Sequence, residues 1–337
     1  MGARAPSFWK GRGPLAVALT PLSLLFWLVA RVRRGLFRAG VLRVERLPVP
    51  VVVVGNIAVG GSGKTPVVEW LAGRLRAAGY RPGIISRGYG GSVDGVAVLP
   101  PNADPDRFGD EPTLLARLTA CPIAVGRDRP AAAHELLRCH PECDVVISDD
   151  GMQHYRLQRD VEIAVVDEAV LGNRWLMPAG PLREGLGRLR EVDLVLAHGD
   201  FSARLQERLS ACAVFPMRLE GAVLRSLRSS DVTCDPAALR GRRVHAVAGI
   251  GRPQRFFDQI AAFGLDVVPH PFADHHRFAP GELVFAAGEP IVMTSKDAVK
   301  CGAFALDDWW EFPVRARIGS GAAERILEKL ENGSKTA

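Results

Sequence analysis

Val51–Pro66 reads VVVVGNIAVGGSGKTP, an unbroken β-branched run, a glycine-rich loop and Gly-Lys-Thr. A run such as Val51–Val54 predicts a strand buried on both faces of a parallel sheet. Beyond the loop, Val67, Val68, Leu71, Ala72, Leu75 and Ala78 recur at helical spacing, and Gly79 supplies a stop. Strand, glycine loop and helix are the context a phosphate-binding loop requires. Gly60, Gly61 and Gly63 let several N–H groups converge on one point, where the helix N-terminus adds partial positive charge. Lys64 then reaches the β- and γ-phosphates, and the Thr65 hydroxyl suits Mg²⁺. Ala58, Val59, Gly60, Gly61, Ser62, Gly63, Lys64 and Thr65 are the expected nucleotide-binding residues. The strict pattern asks for glycine where Ala58 stands.

Outward from this loop, strand-like and helix-like runs alternate: PGIIS at Pro82–Ser86, a helical Glu111–Leu118, DVVIS at Asp144–Ser148, and Val161–Val166. This alternation predicts a doubly wound parallel α/β sheet. Near Glu220–Pro236 the pattern turns irregular, then restarts with RVHAVA at Arg243–Ala248 and an apolar helix, Gln254–Phe263. The expected organisation is an N-terminal segment at 1–46, a P-loop core at 47–222 and a smaller α/β unit at 223–337. Asp149 and Asp150 end the strand CDVVISDD, where a P-loop enzyme places the carboxylate that holds Mg²⁺.

Charge is unevenly spread. The chain nets +6, whereas residues 1–46 hold nine basic side chains against Glu45, so the rest nets −2. An excess confined to one terminal segment argues against nucleic acid as the partner. That segment contains the apolar run Leu15–Ala30, preceded by Lys10 and Arg12 and followed by Arg31, Arg33, Arg34 and Arg38. The run is short for a span and contains Pro21. Arginines also occupy the place of a signal-peptide cleavage site. The expectation is a membrane-associated helix meeting anionic headgroups, dipping into or crossing the bilayer. Six scattered cysteines, Cys121, Cys139, Cys143, Cys212, Cys234 and Cys301, suggest no disulfide framework, and Cys139-His140-Cys143 lacks a fourth metal ligand. Reduced thiols and an ATP-type loop place the globular part in the cytoplasm.

Other polar, glycine-rich segments complete a signature: SRGYGG (Ser86–Gly91), FGDEP (Phe108–Pro112), DDGMQH (Asp149–His154), NRWLMPAGPLRE (Asn173–Glu184), ADHHRF (Ala273–Phe278) and TSKDAVK (Thr294–Lys300). With the loop, these resemble the tetraacyldisaccharide 4′-kinase family of the Gram-negative lipid A pathway across most of the chain. The resemblance implies phosphoryl transfer from ATP, with Mg²⁺, to the 4′-hydroxyl of a lipid-linked glucosamine disaccharide 1-phosphate, forming lipid IVA at the cytoplasmic face of the bacterial inner membrane. It implies Asp110 as the catalytic base, supported by His275, with Lys64 on the phosphates. Arg87, Tyr89, Glu111, His154, Asn173, Arg183 and Lys296 are weaker candidates for substrate contact. Asp110 and His275 lie in different expected units, so closure of a hinge would assemble the site. A different class, a membrane-docked GTPase or ATPase switch, shares the P-loop. It lacks support from a guanine-reading segment, since Ser295-Lys296-Asp297 does not have the N-K-x-D form. A non-catalytic scaffold fits poorly with an intact Lys64, Thr65 and Asp149.

Overall fold

The computed structural model describes residues 6–229, 231–285 and 288–334. Its strands are β1 (Val51–Gly55), β2 (Pro82–Ser86), β3 (Val96–Val98), β4 (Ile123–Gly126), β5 (Val145–Asp149), β6 (Val161–Val166), β7 (Leu194–His198) and β8 (Val214–Glu220). Seven more follow: β9 (Leu224–Ser226), β10 (Thr233–Cys234), β11 (Arg243–Ala248), β12 (Asp266–Pro271), β13 (Ile291–Thr294), β14 (Trp309–Phe312) and β15 (Arg315–Ile318). The α-helices are α1 (Pro14–Ala18), α2 (Thr20–Arg38), α3 (Lys64–Ala77), α4 (Pro105–Phe108), α5 (Asp110–Thr119), α6 (Arg129–Cys139), α7 (Ala203–Arg208), α8 (Pro253–Ala261), α9 (Ser295–Cys301) and α10 (Ala322–Ser334).

The first sheet has the order β15-β8-β7-β6-β1-β5-β2-β4-β3, parallel from β8 to β4 with an antiparallel strand at each edge. Every residue of β1 is buried, as its β-branched run predicts, because helices cover both faces of the sheet. β1 lies between β5 and β6, with Val54 opposite Asp149 on one side and Ile163 on the other. The strand order reverses here, and open α/β sheets bind ligands at the carboxyl ends of the strands beside such a reversal. Val67, Val68, Leu71, Ala72 and Leu75 of α3 pack into the core against β1 and β6.

The second sheet has the order β10-β9-β14-β13-β11-β12, parallel from β14 to β12. Phe256, Phe257 and Ile260 of α8 cover one face of it. Its composition corrects the expected 223–337 unit. β15 pairs with β8, and Ala322, Ile326 and Leu330 of α10 join the core under α3, so the chain's end returns to the first sheet. The physical reason is that β8 would otherwise leave an unpaired edge. The chain therefore crosses between sheets twice, at 221–223 and at 313–314, and the crossings touch: Gly221 packs on the Phe312 ring.

The N-terminal apolar run forms α1 and α2 in place of one continuous helix. Pro21 is accommodated in the first turn of α2, where N–H groups lack partners anyway. Among the described residues no helix is long and apolar enough to cross a membrane. α1 and α2 rest on the body along a narrow stripe that includes Ala16 and Ser23. The Ser23 hydroxyl donates to Leu176 O (2.9 Å) and accepts from Ala179 N–H (3.0 Å). Away from that stripe, Leu15, Val17, Leu22, Leu24, Leu25, Leu28, Val29 and Val32 are all exposed.

Candidate active site

The glycine loop forms the expected concavity. Gly60 (φ +123°) and Gly63 (φ +91°) occupy backbone conformations that a side chain would strain, whereas Gly61 has ordinary geometry with open space beside it. The two positions before them face inward. Ala58 is buried and its N–H donates to Asn56 Oδ1 (2.9 Å), while Val59 N–H donates to Pro181 O (2.9 Å). Ala58 thus fills core space, which accounts for its departure from glycine. The Ser62 hydroxyl is also turned away, accepting from Asn56 Nδ2 (2.9 Å). What remains open to a ligand is the N–H row from Gly60 through Gly63 and the first turn of α3, with the Lys64 ammonium and Thr65 hydroxyl beside it. His198 Nδ1 lies 2.9 Å from Ser62 O and braces the loop from β7. Sequence reasoning missed Asn56 and His198; Asn56, directly after β1, was the more accessible of the two.

Asp149 and Asp150 end β5 next to this loop but differ sharply. The Asp149 carboxylate is buried, and its Oδ2 accepts from Ser86 Oγ (3.0 Å) at the end of β2. Burial, then the nearby charges of Glu111 and Asp150, push it up to about 7. Asp150 has a left-handed backbone (φ +48°) that swings its carboxylate toward Arg183 Nη1 (3.0 Å) and Lys64 Nζ (3.5 Å). Burial alone would raise Asp150, but Lys64 and Arg183 outweigh it and hold the group well below the usual range. Arg129, missed from sequence and almost fully buried, ties this strand end to β4 by donating to Asp149 O (3.1 Å) and Gly126 O (2.7 Å). Among the described residues no three His, Cys, Asp or Glu side chains form a ready-made metal centre. An ion here would be completed by phosphate oxygens and water, as Mg²⁺ prefers. Asp149 fits that role: its oxygens are hard donors, and a cation would offset the burial and neighbouring acids that push it up.

Asp110 and His275 meet. His275 Nδ1 is 3.1 Å from Asp110 Oδ2, across the boundary between the two sheets. Asp110 is at the N-terminus of α5, delivered by two loops packed backbone to backbone. A Cβ on Gly109 (φ +93°) would lie 2.6 Å from Tyr89 O, and one on Gly91 would lie 2.5 Å from Arg107 O. His275 is itself left-handed (φ +58°), with its N–H donating to Gly249 O (3.2 Å). Lys300 Nζ lies 3.6 Å from Asp110 Oδ2 and 2.9 Å from Asp297 Oδ1. Burial would raise Asp110. The hydrogen bond with His275 and the charges of Lys300, His275 and Lys296 outweigh it, so the carboxyl lies below its ordinary value and is ionised at neutral pH. One turn earlier on α9, Lys296 Nζ donates to Glu111 Oε1 (2.6 Å). Lys296 chiefly lowers Glu111, and Glu111 with Asp274 and Asp110 overcomes the effect of burial on Lys296 to raise it. Lys300 and Asp297 sit in the TSKDAVK segment, which marked them without revealing their contacts.

The second sheet's glycine loop also reaches the cradle. A Cβ on Gly251 would be 3.6 Å from Asp274 Oδ2 and 3.9 Å from Gly61 N. Arg252 Nη1 and Arg255 Nη1 lie 2.7 and 3.1 Å from the buried Asp167 Oδ2, beside His198. Among the remaining candidates, Arg87 and Tyr89 are exposed at the mouth of the site, and the Tyr89 ring centroid is 5.1 Å from that of His275. His154 is pushed down to about 4 by burial and then by Arg129 and Arg87, so it is neutral at pH 7. Arg183 is on Asp150 and Gln153. Asn173 departs from the expectation. Buried, it donates to Gly11 O and Ala179 O (2.9 Å each) and accepts from Trp175 N–H (3.0 Å), which commits its amide to ordering the 173–180 loop.

A glycine loop, a strand-end acid and a carboxylate–imidazole pair are thus brought to one crevice. The family model described as tetraacyldisaccharide-1-P 4′-kinase (LpxK) matches residues 15–331. A tetraacyldisaccharide 4′-kinase of Azoarcus sp. strain BH72 is 67% identical over 333 residues, covering 99% of this chain and 97% of that one. Another from Aromatoleum aromaticum is 64% identical over 337 residues, all of both chains. Among solved structures, the "apo" form of LpxK from Aquifex aeolicus in complex with ATP superposes with a TM-score of 0.79 at 27% identity, over 94% of this chain and 99% of that one. The crevice at the end of β1 and the whole-chain similarity agree, and the chain belongs to the tetraacyldisaccharide 4′-kinase family.

Proposed function

We propose that this protein transfers the γ-phosphate of ATP to the 4′-hydroxyl of tetraacyldisaccharide 1-phosphate, forming lipid IVA in lipid A biosynthesis. The observation that carries the residue assignment is the 3.1 Å contact of His275 with Asp110 beside the P-loop. The N–H row from Gly60 to Thr65 grips the triphosphate, and Lys64 offsets the charge on its β- and γ-phosphates. Asp150 holds Lys64 in place and is in turn held by Arg183. Mg²⁺, when bound through Asp149 and Thr65, supplies further neutralisation of phosphate charge. A sugar hydroxyl placed against Asp110 loses its proton to the Asp110–His275 pair as its oxygen bonds to the γ-phosphorus. The bond from that phosphorus to the β–γ bridging oxygen breaks, and ADP leaves. His275 keeps the carboxylate oriented, while Lys300 and Lys296 keep it ionised and ready to accept the proton. Arg87, Tyr89 and neutral His154 meet the disaccharide, a reading that the exposure of Arg87 and Tyr89 supports.

The acyl chains of the substrate belong in a bilayer, and the exposed apolar sides of α1 and α2 suit insertion into the headgroup region of the cytoplasmic face of the inner membrane. The switch reading is not favoured, because relatives named as kinases match the chain end to end. The test is transfer of labelled γ-phosphate from ATP to the detergent-dispersed disaccharide by purified protein with Mg²⁺. Wild type transfers label; Asp110→Ala loses on the order of 10²–10⁴-fold in kcat while retaining ATP affinity. A fast Asp110→Ala enzyme overturns the base assignment, and an inert wild type that binds nucleotide overturns the kinase reading.

A further inference from the structure

Away from the crevice lies a cavity of about 560 Å³, within the range of small-ligand sites, whose walls include Lys10, Arg12, Arg174, Arg204 and Arg208. Arg174 is paired with Glu168, which also takes the Ser202 N–H and hydroxyl. Among the described residues, no ion pair joins Lys10, Arg12, Arg204 or Arg208 to an acid. Arg204 and Arg208 stand four apart on α7, an arrangement in which like charges repel. Such a concentration of unpaired cations in a concave site lacks an anion. The Lys10–Arg12 wall is also built in. Asn173 N–H donates to Trp9 O (2.7 Å), Asn173 Nδ2 to Gly11 O (2.9 Å) and Trp9 Nε1 to Pro178 O (2.8 Å), while Arg12 stacks 5.3 Å above the Trp175 ring. Directly after Arg12 the chain enters α1, whose Leu15 and Val17 are more than half exposed.

We propose that this basic cavity binds the phosphate of an anionic glycerophospholipid of the bilayer on which α1 and α2 lie, a site distinct from the catalytic crevice. The inference rests on the membrane-surface reading above. Its ligand is a lipid and not a free phosphate because the Lys10–Arg12 wall of the cavity runs directly on into the exposed apolar start of α1. A headgroup held by Lys10, Arg12, Arg204 and Arg208 leaves its acyl chains alongside Leu15 and Val17. The bound lipid fixes how the protein sits on the surface, and so where the crevice meets the membrane-held disaccharide.

The experiment is co-sedimentation of full-length protein with phosphatidylcholine vesicles, alone or containing phosphatidylglycerol. Phosphatidylglycerol should strengthen wild-type binding. The variant Arg204→Gln/Arg208→Gln should lose roughly 25-fold of that partition, at about 5-fold per cation removed. It should retain wild-type binding to neutral vesicles and wild-type kcat and KM in detergent. The same change at Arg74 and Arg76, exposed on α3 at the opposite end of the sheet, should leave vesicle binding almost unaltered. Lys10→Glu, in the other wall, should act in the direction of the α7 variant. Equal losses from the α3 and α7 changes would overturn the cavity in favour of diffuse charge. Inorganic phosphate displacing wild type from the vesicles would reassign it to a soluble anion, and a raised KM in detergent would reassign it to the disaccharide's own phosphate. Loss of neutral-vesicle binding by wild type would instead sink the apolar-helix reading, and absent kinase activity the catalytic one.

Discussion

Asp149 and His154 lie five residues apart and respond to pH in opposite senses. Asp149 is pushed up to about 7 from an ordinary 3.8, chiefly by burial, so the folded protein holds a proton that the unfolded chain releases. Its effect is to lower stability as pH rises from about 4 to about 7. His154 is pushed down to about 4 from 6.5, again chiefly by burial, so the unfolded chain takes up a proton that the folded protein refuses. Its effect is to raise stability across nearly the same window. The two slopes offset each other in the wild type. Thermal melts of nucleotide-free protein at intervals between these pH values should therefore show Asp149→Asn gaining stability with rising pH and His154→Gln losing it. Parallel profiles for both variants and wild type would contradict the burial of these groups. Asp149→Asn should also abolish the Mg²⁺ dependence of ATP binding, whereas His154→Gln should keep it.

At the scale of elements, catalysis depends on loops that fit only because two glycines lack a Cβ. Gly109→Ala places a methyl against Tyr89 O in a left-handed backbone and displaces the start of α5, where Asp110 sits. The expected cost is about 2 kcal/mol or more of stability with a severe loss of kcat, read by urea melts and turnover. Buried elements were legible in the sequence. The Val51–Val54 run, DVVIS and the α3 periodicity signal continuous burial, and the strands and helix appear where expected. Edge elements were not. In β8 the pattern of exposure interrupts any apolar run and Pro216 lies within it, while β15 is Arg-Ala-Arg-Ile with only Ala316 buried. Such strands are specified by the neighbour they pair with, so their own side chains carry little signal. The cradle was readable as geometry, whereas the meeting of Asp110 with His275 was accessible only through family resemblance. A contact spanning 165 residues has no local pattern.

Across the whole molecule, the two sheets are joined by charge as well as by chain. Asp167 follows β6 and is buried, and Arg252 and Arg255 reach it from the second sheet. Removing both arginines leaves a buried carboxylate short of partners. The arginines are themselves partly exposed, which moderates the cost. Arg252→Ala/Arg255→Ala is expected to lose about 1–3 kcal/mol and to weaken ATP binding several-fold, because the loop holding Gly251 is then no longer fixed beside the glycine loop. Calorimetry of unfolding and of ATP binding would check both, and unchanged ATP affinity would show the sheets to be held together by other contacts. The return of β15 and α10 to the first sheet has a consequence for biosynthesis. Because β15 and α10 leave the ribosome after every other described element, the nucleotide-binding half waits with a raw margin along β8 until they have been made. A message truncated after codon 314 would yield every residue of the catalytic crevice and still leave that margin open to pairing with another copy.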